Sequence, residues 1–147
     1  MRALLQRTTG SEVWIGGRCH SRARDGLLVL FGTRRGDSSQ SCHWLAEKTA
    51  NLRVFEDDDG KMNRSVLDVG GEVMVVSQFT LYADCRKGRR PSYGDAGEPT
   101  EAERLYELYI EELRCLGLTV ATGIFGARMD VRLTNHGPVT ILLEHDV

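Results

Sequence analysis

Two short segments carry most of the chemistry available to this chain. Ser77-Gln78-Phe79-Thr80-Leu81 sets two hydroxyls and a carboxamide directly after the apolar run Val73-Met74-Val75-Val76, the pattern of a buried strand ending at a polar rim. Asn135-His136-Gly137-Pro138-Val139-Thr140 inserts a Gly-Pro step between two β-like runs. Glycine is the most permissive residue and proline the one that readily accepts a cis bond, so such a step aims main-chain carbonyls rather than a side chain. Together the segments predict a site that reads its substrate by shape and backbone groups. Backbone N–H groups near Phe79 and Thr80, at a strand end, could stabilise a developing oxyanion, which suits hydrolysis of an already activated ester. A triad would instead pair Thr80 or Ser77 with His136 and a carboxylate such as Asp84. No G-x-S-x-G elbow supports that arrangement. The plainest alternative is a strand end whose Thr80 caps the following turn.

Charge narrows the partner. The net charge of −2 says nothing for nucleic acid, but Arg86, Lys87, Arg89 and Arg90 put four cations into five residues just beyond the first segment. That proximity favours phosphate binding over a merely solvated loop. Arg34-Arg35, in a Gly-flanked turn, extends the positive surface. Cys19-His20 and Cys42-His43 resemble two half-sites for zinc, yet adjacent side chains diverge on helix or strand alike. Asp57-Asp58-Asp59-Gly60 lacks the later Glu of a calcium loop and reads as a hairpin turn. No metal or cofactor is expected, and the four scattered cysteines are expected to be free, buried thiols. Neither a membrane span nor a secretory h-region is legible, so a cytoplasmic location is expected.

The elements that position these segments follow from periodicity. Residues 2–7 and 11–15 read as strands before the Gly16-Gly17 hairpin turn, and Gly26–Gly32 as a strand buried on both faces. Asp37 and Gln40 suggest a capping box for a helix over about 38–52. A second helix begins at Thr100, with a Thr100/Glu103 capping box after Pro99, and stops at Gly117. Residues 118–125, 129–134 and 139–143 are strand-like. The pattern predicts about nine strands and two helices in one α/β domain over 1–147, without a βαβ repeat.

The two segments together resemble the paired signature of D-aminoacyl-tRNA deacylases. Leu5-Gln6-Arg7, Gly26–Gly32, Gly60-Lys61-Met62-Asn63, Arg90-Pro91-Ser92-Tyr93 and Thr122-Gly123-Ile124-Phe125-Gly126 are similar to further blocks of that family, in order. The resemblance implies a single compact domain whose mixed and antiparallel sheets form a barrel-like core with two main helices. It implies hydrolysis of D-aminoacyl esters on tRNA, glycine included, by a homodimer with its site at the subunit interface. The Gly137-Pro138 peptide would be cis, its carbonyls entering the partner's pocket and colliding with any L side chain. Ser77, Gln78, Phe79 and Thr80 would surround the 3′ adenosine and the ester, Thr80 being the family's candidate nucleophile. Asn135, Phe125, Met129 and Arg7 would border the substrate, with Arg86, Lys87, Arg89 and Arg90 on the tRNA. His136, Arg128 and Tyr93 depart from the residues usual there. Two alternatives stand: a sister deacylase of relaxed chirality with a trans Gly-Pro, and a non-catalytic RNA-binding module.

Overall fold

The computed structural model describes residues 1–146. Two long strands, β1 (Arg2–Ile15) and β2 (Arg18–Gly32), form an antiparallel hairpin closed by Gly16-Gly17, both at positive φ. Helix α1 (Ser39–Asn51), the small hairpin β3 (Phe55–Glu56) and β4 (Met62–Arg64), and strand β5 (Glu72–Ser77) follow. A 3₁₀ turn (Phe79–Tyr82), helix α2 (Pro99–Cys115), β6 (Thr119–Thr122) and β7 (Asp130–Glu144) complete the order. The main sheet runs β6-β5-β2-β1-β7.

The sheet is mixed, as expected, but its wiring is not. Strands β2 and β5 pair in parallel, as do β5 and β6, so the chain makes two successive strand–helix–strand crossovers where none was expected. The β3–β4 hairpin interrupts the first crossover and β6 is only four residues long, which hid the alternation. The described strands number seven rather than about nine. Neither Gly10 nor the Gly-Pro step ends a strand; β1 and β7 run through both as bulges.

Both helices pack on one face. Leu45, Cys42 and Ala46 of α1, with Leu105, Tyr109 and Leu113 of α2, bury against Leu5, Val29, Phe31 and Val75. Phe31 stacks on Tyr109 with centroids 4.5 Å apart, and the Tyr109 hydroxyl shares a 2.7 Å hydrogen bond with Thr49, joining the two helices in the core. The other face collects Val13, Ala23, Leu28, Met74 and Val76, all from strands. Burial without a covering helix requires the sheet to curl over itself. Ser21 of β2 accordingly donates a 2.7 Å hydrogen bond to the Thr122 carbonyl of β6, across β5. The barrel-like expectation thus becomes a curled but open sheet.

Both predicted capping boxes fail. The residues flanking the helix starts are Ser38 and Glu98, and neither side chain caps its helix. Asp37 instead binds the Met1 ammonium at 2.9 Å and the Arg34 N–H at 2.8 Å, while Pro99 opens α2 with φ already set for a helix. The cysteine expectation also needs correcting: only Cys42 is buried, Cys19 is half-buried, and Cys85 and Cys115 are exposed, although all four are free thiols. Asp57 does close a hairpin turn, accepting from the Asp59 and Lys61 N–H groups. No helix among the described residues is long and apolar enough to cross a membrane.

Candidate active site

In an open sheet with parallel strands, the carboxyl ends of those strands leave a crevice. Here β2, β5 and β6 end together at Gly32-Thr33, Ser77-Gln78 and Thr122-Gly123, next to a cavity of about 660 Å³. Its walls are Phe31–Thr33, Val76–Phe79, Ala96-Gly97 and Phe125–Met129, with Pro99, Ala102 and Val131. Ser77, Gln78, Phe79, Phe125 and Met129 therefore come together on its walls. Thr33, Ala96 and Gly97 were not foreseen. They come from two distant loops joined by the hydrogen bond from Gly97 N–H to the Thr33 carbonyl, 2.9 Å, and glycine alone permits so close an approach to the Thr33 side chain.

The local chain path explains what the first segment presents. β5 is buried along Val73–Val76 and loses its ladder at Gln78, whose N–H donates to the Phe31 carbonyl at 2.7 Å. The backbone then tightens into the 3₁₀ turn. The first N–H groups of such a turn have no internal acceptor, and among the described residues no hydrogen bond engages the Phe79 or Thr80 N–H. Thr80 is exposed, and its hydroxyl accepts from the Gln78 carboxamide. Neither histidine nor carboxylate bonds to Ser77 or Thr80 among the described residues. Asp84 is committed elsewhere: the Arg86 guanidinium grips it through two nitrogens at 2.8 Å each and holds its carboxyl down to about 2. The chain does not assemble a triad.

Two walls of the cavity are set by special packing. The Met129 thioether lies over Gly123, where a Cβ would come within 2.6 Å of the sulfur, and it accepts from the Ile124 N–H at 3.4 Å. Phe79 is 55% exposed and meets Tyr93 edge-on at 5.0 Å, giving an aromatic rim. Tyr93 could have been suspected as an aromatic in an otherwise polar loop.

The Gly-Pro segment lies elsewhere. On β7, Asn135 pairs with Thr8 and Thr140 with Gln6, so the single residue Arg7 faces the four residues His136–Val139. The excess is pushed out as a bulge, with Gly137 at φ +128° and the Gly137-Pro138 peptide cis, as the resemblance implied. Asn135 bridges its base, accepting from Val139 N–H at 3.0 Å and donating to the Thr140 hydroxyl at 2.7 Å. Arg7 is buried beneath it. Its Nε donates to the His136 carbonyl at 2.9 Å and its Nη1 to the Val54 carbonyl at 2.8 Å. A Cβ on Gly137 would stand 2.6 Å from the Arg7 guanidinium. Gly137 and Pro138 are exposed and line no part of the cavity. A larger depression of about 790 Å³ beside the bulge, floored by Arg7, Phe55 and Gly70-Gly71, shares no residue with the cavity. Arg86, Lys87, Arg89 and Arg90 all face solvent, and among the described residues the last three form no salt bridge.

Known proteins resemble this chain along nearly its whole length. The family described as D-Tyr-tRNA(Tyr) deacylase matches residues 4–144. A D-aminoacyl-tRNA deacylase of Thermomicrobium roseum is 56% identical over 144 residues, covering 98% of this chain and 94% of the relative. One from Desulfotalea psychrophila is 51% identical over 146 residues, covering 99% and 98%. A solved structure titled c-Myc DNA Unwinding Element Binding Protein superposes with a TM-score of 0.95 at 39% identity, over 100% of both chains. With nearly its whole length matched by the family and by these relatives, the chain belongs to the D-Tyr-tRNA(Tyr) deacylase family.

Proposed function

We propose that this protein is a cytoplasmic homodimeric hydrolase that removes D-amino acids, and glycine, from tRNA by cleaving the aminoacyl ester. One observation carries the reading. The cavity and the Gly-Pro bulge are each well formed yet share no residue within a chain, which supports a site assembled from two copies. The bulge of one protomer, stiffened from below by Arg7 and Asn135, enters the partner's cavity. There the Gly137 and Pro138 carbonyls stand against the substrate Cα on the side an L side chain would occupy. A D side chain points away, and glycine has none. Selection is by collision.

The 3′ adenosine fits between Phe79, Phe125 and Met129, which supply aromatic and thioether faces for stacking. The ester carbonyl lies over the unengaged Phe79 and Thr80 N–H groups, which stabilise the oxyanion as water adds. The adjacent ribose hydroxyl assists, because among the described residues no histidine or carboxylate bonds to Thr80, whose hydroxyl is taken by Gln78. Collapse of the tetrahedral species releases the D-amino acid and the tRNA 3′ hydroxyl. Lys87, Arg89 and Arg90 attract the RNA backbone.

Deacylation of D-tyrosyl-, L-tyrosyl- and glycyl-tRNA, measured side by side on protein whose mass is set by sedimentation, tests the reading. Cleavage of the D and glycyl esters by a dimer is expected. Turnover of L-tyrosyl-tRNA at a comparable rate, or full activity from a monomer, would overturn it.

A further inference from the structure

A second groove opens on the far side of the 3₁₀ turn. It measures about 680 Å³ and gathers Arg2, Arg34, Arg35, Tyr82, Asp84 and Arg86 among its walls. Four arginines against Asp84 and Asp95 leave its lining with a formal charge of +2. The arginines come from β1, from the turn after β2 and from the loop after the 3₁₀ turn, so the fold rather than a charge run brings them together. At its floor is Tyr82, only 7% exposed, with a hydroxyl that has no hydrogen-bond partner among the described residues. The Arg2 guanidinium covers the Tyr82 ring at 4.6 Å and donates to the Leu81 carbonyl at 2.6 Å, tying the groove to the turn that carries Phe79 and Thr80.

Each arginine has a carboxylate neighbour, but most of these pairs are open to water. Arg35 and Glu98 are both 66% exposed, and Asp146 beside Arg34 is 64% exposed. Such pairs hold weakly. A phosphodiester offers two oxygens in the geometry a guanidinium fork prefers, and can take their place. Position selects the ligand further. The turn between groove and cavity is about 8 Å long at ~2 Å per residue, and the adjacent residues Asp95 and Ala96 line one each.

We infer that this groove binds the phosphodiesters immediately 5′ of the aminoacylated adenosine, so that the RNA strand crosses the 3₁₀ turn from groove to cavity. The inference rests on the deacylase reading and adds to it a docking surface for the single-stranded end of tRNA.

The test compares two substrates. D-tyrosyl-tRNA carries those phosphates; D-tyrosyl-adenosine carries none. In Arg34→Gln/Arg35→Gln, KM for D-tyrosyl-tRNA is expected to rise several-fold. The dependence of log kcat/KM on log salt should become shallower by about 1.4, from ~0.7 per contact on a single strand. The loss should be absent with D-tyrosyl-adenosine. Arg35→Glu, which alters one exposed side chain and leaves the core untouched, should raise KM for the tRNA further than Arg35→Gln. An unchanged salt slope, or an equal loss on both substrates, would overturn the groove while leaving the deacylase intact. If the unaltered protein cleaves neither ester, the underlying reading fails instead. Binding of uncharged tRNA, measured with the same variants, then still decides whether the groove holds RNA.

Discussion

At the scale of single residues, the division of labour between backbone and side chain is unusual for a hydrolase. Thr80, the candidate nucleophile of the resemblance, lacks a nucleophile's equipment: among the described residues its hydroxyl meets only the Gln78 carboxamide. Losing a true general base costs ~10²–10⁴ in rate and losing a covalent nucleophile costs more, so without either role Thr80→Ala is expected to keep kcat within about tenfold. Single-turnover deacylation of D-tyrosyl-tRNA checks this, and abolished cleavage with unimpaired binding would restore the threonine to a covalent role. Arg7 shows the converse case. It lies buried beneath the bulge, bonded to the His136 and Val54 carbonyls. Lysine, a point charge without the planar fork, could not hold both.

Among elements, what was legible in the sequence was local. Apolar runs bounded by glycine marked β2 and β5, the Gly16-Gly17 hairpin was correct, and α1 and α2 fell within a residue or two of their predicted spans. Pairing was not legible, because parallel partners such as Leu30 and Val76 are joined only through a helix and an intervening hairpin. Nor did any local signal connect Thr33 with Gly97 on the cavity wall. The capping boxes misled for a related reason: Asp37 found a stronger partner in a cation brought to it by the fold. The contact between α1 and α2 gives an element-scale prediction. Tyr109 and Thr49 are both fully buried, so Tyr109→Phe leaves the threonine hydroxyl unsatisfied and should cost about 1–2 kcal/mol. Adding Thr49→Val removes the orphan, and the pair should cost less than the sum of the singles. Urea midpoints of the three variants measure it; strict additivity would mean that the two hydroxyls do not depend on each other.

For the molecule as a whole, two sets of groups bracket its stability. Asp84 is held down to about 2 by Arg86, and hydrogen bonds lower Glu12, Asp57, Asp68, Glu72 and Glu101 as well. Unfolded, these carboxyls take up protons near ~4, so their contribution is present above that pH and fades as pH falls toward 2. Burial pushes the Cys42 thiol and the Tyr106 phenol up to about 12, and raises Tyr82 and Tyr109 too. These groups ionise first in the unfolded chain, from about 8.5 upward, so stability should decline as pH climbs from there toward 12. Denaturation midpoints followed from pH 2 to 11 should therefore show a plateau with two falling limbs, and a midpoint still level at pH 11 would contradict the alkaline one. The sheet order has a last effect, on the timing of synthesis. Strand β1 pairs with β7 from Arg2↔Glu144 onward, so β1 waits for a strand made more than a hundred residues later. At about 5–20 residues per second a ribosome needs roughly 7–30 s to deliver both. Through that interval the β1–β2 hairpin has one unprotected flank, open to mispairing with neighbouring nascent chains. Assembly in the cell should accordingly be sensitive to how fast the codons for β7 are read.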